Sequence, residues 1–212
     1  MLNRMLSLAL ARPRLALVAL GVIAAVGFPP FHVWPLAIAA LGAGAVLIRF
    51  SGTMRSAFFR AWLFGLAHFT FTNMWIATAF THQDDMPAVL GWFAVPGLSA
   101  FLAVYPAIAI TAAYRLARGR SALVYALALG GAWILAEILR ATLFTGDAWA
   151  PFSLALLGPF DRPGIAALLP LTGTYALSGL AVFLAVTLVD HALRREWVRL
   201  GIASALRAVA RY

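Results

Sequence analysis

The chain has 212 residues, 64% of them apolar and 11% charged, with a formal net charge of +9 and a mean hydropathy of +0.93. That balance excludes an ordinary soluble domain. With no cysteine, it also excludes disulfides, thiolate metal sites and a cysteine nucleophile within these residues.

About 20 consecutive apolar residues cross a bilayer as a helix, and runs of that kind follow one another along the chain. They fall at roughly 13–28, 33–49, 56–80, 87–116, 121–145 and 164–192. The expected fold class is therefore all-α, a polytopic membrane bundle of about six transmembrane helices. The first two runs are short and joined by Phe28-Pro29-Pro30-Phe31-His32, a tight turn that paired prolines enforce. Gly27-Phe28-Pro29 is not a small-residue cleavage site, so an uncleaved first helix is expected rather than a secretory signal. Gly42 and Gly44 offer close contacts to neighbouring helices. In the fourth run Gly91 and Gly97 do the same, while Pro96 and Pro106 predict kinks. Residues 1–196 read as one membrane domain. Residues 197–212 read as a basic amphipathic cytoplasmic tail, because Arg199, Arg207 and Arg211 share a helical face and the segment is too short and charged to span.

All sixteen basic residues are arginines, and their positions carry topology. Arg4, Arg12 and Arg14 precede the first run; Arg49, Arg55 and Arg60 lie between the second and third. Arg115, Arg118 and Arg120 lie between the fourth and fifth, and Arg194, Arg195, Arg199, Arg207 and Arg211 follow the sixth. The alternate connections carry the acids instead: Asp84 and Asp85 in one, Asp147 and Asp161 in another. By the positive-inside rule the arginine side is cytoplasmic and both termini are inside. Arginines gathered at the ends of apolar runs rather than along one polar face argue against a nucleic-acid partner.

The chemistry-bearing residues are few. Glu137 and Arg140 sit in the fifth run, where each charge costs roughly 2.5–3.5 kcal/mol unless it is paired or faces a wet cavity. Their i, i+3 spacing puts them on one face. Two readings stand: a structural ion pair, or a polar wall for a lipid headgroup. Trp149, in the following outer connection, reads as an interfacial anchor or a ligand contact. Trp75 and His82 mark the end of the third run. His82 with Asp84 and Asp85 has metal-ligand chemistry but no helical placement, so no metal site is assigned. His68, inside the third run, reads as a satisfied polar contact between helices. No GxSxG, HExxH or phosphate-cradling glycine loop occurs, so no catalytic residue and no cofactor is assigned.

These segments carry a resemblance. Phe28-Pro29-Pro30-Phe31-His32-Val33-Trp34-Pro35 resembles the F-S-P-(F/Y)-x-x-W-P start of bacterial apolipoprotein N-acyltransferases. Asn73-Met74-Trp75-Ile76, His82 and Met86-Pro87 are similar to that family's third span and outer loop. Trp133, Glu137-Ile138-Leu139-Arg140, Thr145-Gly146 and Trp149 resemble its W-x-x-x-E-x-L-R … T-G-x-x-W stretch, and Gly173-Thr174-Tyr175 with Ser178 its sixth span. The resemblance implies a bacterial inner-membrane protein concerned with acyl transfer from phospholipid to a diacylated lipoprotein. It also implies an eight-helix membrane domain with an inserted nitrilase-like domain and a Glu–Lys–Cys triad. These 212 residues contain neither Lys nor Cys, so the triad cannot form within them, and the chain is expected to be inactive alone. A separate nitrilase-like catalytic chain is the corresponding partner. Trp75, His82, Glu137, Arg140 and Trp149 are the residues expected to face lipid or substrate. The alternative is a non-enzymatic inner-membrane carrier or assembly partner.

Overall fold

The computed structural model describes residues 10–82, 87, 89–144, 146–158 and 164–209, with side chains described through 195. The regular structure of the described residues is α-helical: α1 (Pro13–Ala25), α2 (Trp34–Arg49), α3 (Met54–Thr72), α4 (Trp75–Phe80), α5 (Val89–Leu102), α6 (Val104–Leu116), α7 (Ala122–Thr142), α8 (Leu169–Thr172) and α9 (Thr174–Val209). Short 3₁₀ turns at Phe152–Leu157 and Ile165–Leu168 lie between α7 and α8.

The helices begin where local chemistry starts them. Thr53 and Ser121 cap α3 and α7, each side-chain oxygen accepting from the backbone N–H three residues on, at 3.1 and 3.3 Å. Pro13 and Pro35 occupy first-turn positions of α1 and α2, where a missing N–H costs nothing. The fourth apolar run divides at Ala103, three residues before Pro106, because Pro106 cannot donate to the carbonyl of Leu102.

The expectation of six spans is corrected. Among the described residues three helical stretches are long and apolar enough to cross a membrane: Val89–Leu116, which runs through α5 and α6 end to end, Ala122–Thr142 and Thr174–Arg195. The α1 and α2 helices are apolar but have 13 and 16 residues. They measure ~20 and ~24 Å at 1.5 Å per residue, against a hydrocarbon core of ~30 Å. The turn at residues 26–33 consumes the rest of those two runs. The third run is cut by a turn at Asn73-Met74 into α3, which carries Arg55 and Arg60, and the six-residue α4. The first residues of the sixth run are spent on 3₁₀ turn and on α8 before α9 begins.

Packing closes these helices into a circuit. The α1 helix lies on α3, α3 on α6, α6 on α7, α7 on α9, α9 on α2, and α2 back on α1; α4 and α5 pack together beside α3. The core is one cluster drawn from the whole circuit, including Leu17, Leu41, Phe64, Ile110, Tyr125, Leu129 and Val182. Close approach depends on missing side chains. A Cβ on Gly42 would lie 2.3 Å from the Ala185 carbonyl oxygen of α9, and Gly130 and Gly179 put α7 and α9 backbone to backbone. Gly44 meets the Phe64 ring and Gly91 meets Ala77, whereas Gly97 faces open space and is not a packing contact.

Among the described residues, arginines other than Arg140 collect at one end of the circuit. Arg49 donates to the Arg120 carbonyl at 2.7 Å and lies 3.7 Å from Asp190. Arg60 donates to Ser51 Oγ, and Arg14 lies over the Phe59 ring. The backbone of α9 is helical through Val209. Arg4, Asp84, Asp85, Asp161 and the side chains of Arg199, Arg207 and Arg211 lie outside the described residues.

Candidate functional site

The opposite end of the circuit holds a buried polar cluster beneath an exposed aromatic pair. Glu137 and Arg140, on the last turns of α7, are 6% and 3% exposed. Glu137 Oε1 accepts from Trp133 Nε1 at 2.9 Å and from the Phe152 backbone N–H at 2.8 Å. The first bond spans one helical turn, i to i+4; the second reaches fifteen residues along the chain and pins the 3₁₀ turn that follows the loop. Glu137 Oε2 has no hydrogen-bond partner.

Glu137 and Arg140 do not form the ion pair that their spacing suggested. Arg140 turns to the loop instead, donating to the Trp149 carbonyl at 2.6 Å and lying 3.6 Å from Asp147 Oδ1, with its guanidinium over the Phe69 ring. Asp147 in turn accepts from the Trp149 N–H at 2.9 Å, and its own N–H donates to the Arg140 carbonyl at 2.7 Å. Loop 146–152 is therefore gripped by both charged residues of α7, one through Phe152 and the other through Asp147 and Trp149. Ala150 within it takes a φ of +49°, a left-handed conformation that costs a residue with a Cβ roughly 1–2 kcal/mol. Strain of this kind persists only where surrounding bonds over-determine the backbone.

The grip fixes Trp149 on the surface, 63% exposed. Trp75, at the start of α4 and 51% exposed, lies against it with ring centroids 5.5 Å apart. Two exposed indoles in contact form an amphipathic ledge suited to the interface between headgroups and acyl chains. Of the five residues expected here, the structure joins Trp75, Trp149, Glu137 and Arg140 in one assembly. His82 is exposed in the turn just beyond α4; the acidic residues considered with it lie outside the described residues.

Below the ledge is a cavity of about 30 Å³, on the scale of one or two waters. His68, Glu137, Arg140 and aromatic rings line it. His68 is buried among Phe28, Phe64 and Phe69 and makes a polar contact to the Gly21 backbone of α1, while its Nδ1 has no hydrogen-bond partner. Sequence reasoning missed the roles of Asp147, Phe152 and Ser178. Ser178 Oγ of α9 accepts from the Ser153 N–H at 2.9 Å and so anchors the same 3₁₀ turn. Phe152 contributes through its backbone, which leaves no signature in the residue type. Asp147 was legible as an Asx residue two positions before Trp149, the spacing at which an aspartate accepts from the backbone.

The chain matches the apolipoprotein N-acyltransferase N-terminal domain over residues 20–187. It belongs to the apolipoprotein N-acyltransferase family. Relatives bearing that name include proteins of Ralstonia nicotianae, 36% identical over 93% of this chain, Nitrosomonas europaea, 33% identical over 88%, and Vibrio cholerae, 28% identical over 93%. In each the match covers 38% of the relative's length. The loop grip and the aromatic ledge thus fall within the matched N-terminal domain, and residues 20–187 contain every side chain of the ledge.

Proposed function

We propose that this chain supplies the membrane-embedded, lipid-contacting part of an apolipoprotein N-acyltransferase system and transfers no acyl group by itself. The reading is carried by the Trp75–Trp149 ledge, two exposed indoles held in place by a buried charged network on α7. Family membership supports acyl transfer to lipoprotein as the setting. The absence of Lys and Cys from the 212 residues supports a catalytic unit outside them, nitrilase-like in the family that the chain resembles.

In this reading Trp75 and Trp149 meet the acyl chains and glycerol region of membrane phospholipid or of a diacylated lipoprotein. Glu137 and Arg140 position the Trp149 loop, and His82 borders the surface. The arginine-bearing end of the circuit faces the cytoplasm of a bacterial inner membrane, and residues 197–212 form a basic tail on that side. Support comes from the charge asymmetry between the two ends, with Arg49, Arg60, Arg118, Arg120 and Arg194 at one and Trp75 and Trp149 at the other.

The test is binding and turnover of a fluorescent diacyl lipopeptide by the chain in phospholipid vesicles. Expected is saturable binding, weakened about tenfold in a Trp75→Ala/Trp149→Ala variant by loss of two buried-on-binding aromatic faces, with no triacylated product. Product formation would overturn the non-catalytic reading. Equal binding by variant and wild type would overturn the ledge.

A further inference from the structure

At the arginine end, the connection between α2 and α3 faces the connection between α6 and α7 across a recess of about 410 Å³. Volumes of that size, ~300–1,000 Å³, are typical of small-molecule sites. Arg49, Arg118, Arg120, Ser51, Tyr114 and Tyr125 line it. Its walls are tied by bonds between residues distant in sequence. Tyr114 Oη donates to the Ser51 carbonyl at 2.6 Å, Arg49 to the Arg120 carbonyl at 2.7 Å, and Tyr125 Oη to the Ala45 carbonyl at 3.0 Å. Arg60 donates to Ser51 Oγ at 3.2 Å. Gly119, at a φ of +73°, makes the turn that places Arg118 and Arg120 on the rim. The recess is thus a built feature rather than a gap between loose loops.

Its charge is not balanced among the described side chains. Among the described side chains the acid at this end is Asp190, which is shared between Arg49 at 3.7 Å and Arg194 at 2.5 Å. Arg118 and Arg120 are exposed, and their side chains make no ion pair among the described residues. Topology signalling explains why arginines lie at this end, but it needs no recess. Arg55, Arg115 and Arg195, exposed at the same end, serve that role without lining one. Arg118 and Arg120, exposed and making no ion pair among the described residues, line this recess with Arg49, and guanidinium groups supply the charge and bidentate donors that a phosphate accepts.

We propose that this recess binds a phosphate group, carried by an anionic phospholipid headgroup or by free phosphate, with Arg118 and Arg120 as its principal donors. The site lies at the other end of the molecule from the aromatic ledge and is independent of what the ledge binds.

The test is native mass spectrometry of the detergent-solubilised chain titrated with phosphatidylglycerol or phosphatidylcholine, with and without millimolar inorganic phosphate. Wild type should retain phosphatidylglycerol about tenfold more tightly than phosphatidylcholine, and Arg118→Gln/Arg120→Gln should abolish that preference. Arg55→Gln/Arg115→Gln removes the same charge outside the recess and should leave the preference in place. Both pairs are exposed, so unchanged melting temperatures should accompany them. Displacement of the lipid by phosphate would assign the site to the free anion, and lack of displacement would assign it to lipid; either outcome upholds a phosphate site. Equal retention by Arg118→Gln/Arg120→Gln and wild type overturns it, as does an equal loss in Arg55→Gln/Arg115→Gln.

Discussion

Glu137 carries the clearest consequence of a single buried group. Its Oε1 satisfies two donors, Trp133 Nε1 and the Phe152 N–H, that have no other partner in the core. Glu137→Gln keeps an acceptor oxygen in place and removes a buried charge, so it should cost less than about 1 kcal/mol. Glu137→Leu strands both donors and should cost about 2–4 kcal/mol. Unfolding of the purified chain in mixed micelles checks both values, and a cost for the Gln variant equal to that of Leu would contradict the assigned bonds. That Glu137 and Arg140 share a helix face was legible in their spacing. That they bind different partners was not, because the loop reaching them comes from beyond the end of α7 and supplies mostly backbone atoms. Hydrogen bonds made by carbonyls and N–H groups are invisible in residue type.

At the scale of elements, helix contacts rest on close backbone approach. Gly42→Val places its side chain against the Ala185 carbonyl and Val189 of α9, and overpacking of this kind should cost about 1–3 kcal/mol. Gly97→Ala faces open space and should stay within about 0.5 kcal/mol of wild type. Melting temperatures of the two variants in the same detergent separate them. Comparable losses would mean that α2 and α9 do not meet at Gly42. The helix positions were readable from apolar runs, but the breaks within those runs were not. The turn at Asn73-Met74 and the shift from α5 to α6 at Ala103 interrupt stretches whose residues remain apolar, so hydropathy continues across them. Only the Pro106 signal anticipated one of these interruptions, through its missing donor.

For the whole molecule, the charge asymmetry makes a topology prediction that the chain is well suited to test, since it contains no cysteine. Single substitutions Gly52→Cys and Gly119→Cys place a thiol in exposed connections at the arginine end, and His82→Cys places one near the ledge. In intact cells a membrane-impermeant maleimide should label only the third, and permeabilisation should expose the first two. Labelling of Gly119→Cys in intact cells would reverse the orientation.

The sequence by itself determined the class of molecule, the end at which charge accumulates, and the family, because each is written in local composition or in ordered motifs. It did not determine how many helices are long enough to cross a bilayer. That count depends on where turns consume apolar residues, and hydropathy runs on unchanged through those turns. The tertiary structure also decided which polar groups meet. A closed circuit of helices brings the last turns of α7 under the loop that follows it and sets two arginine-bearing connections across one recess. Burial then forces each polar group to take the partner within reach, whatever partner its spacing along the chain suggested.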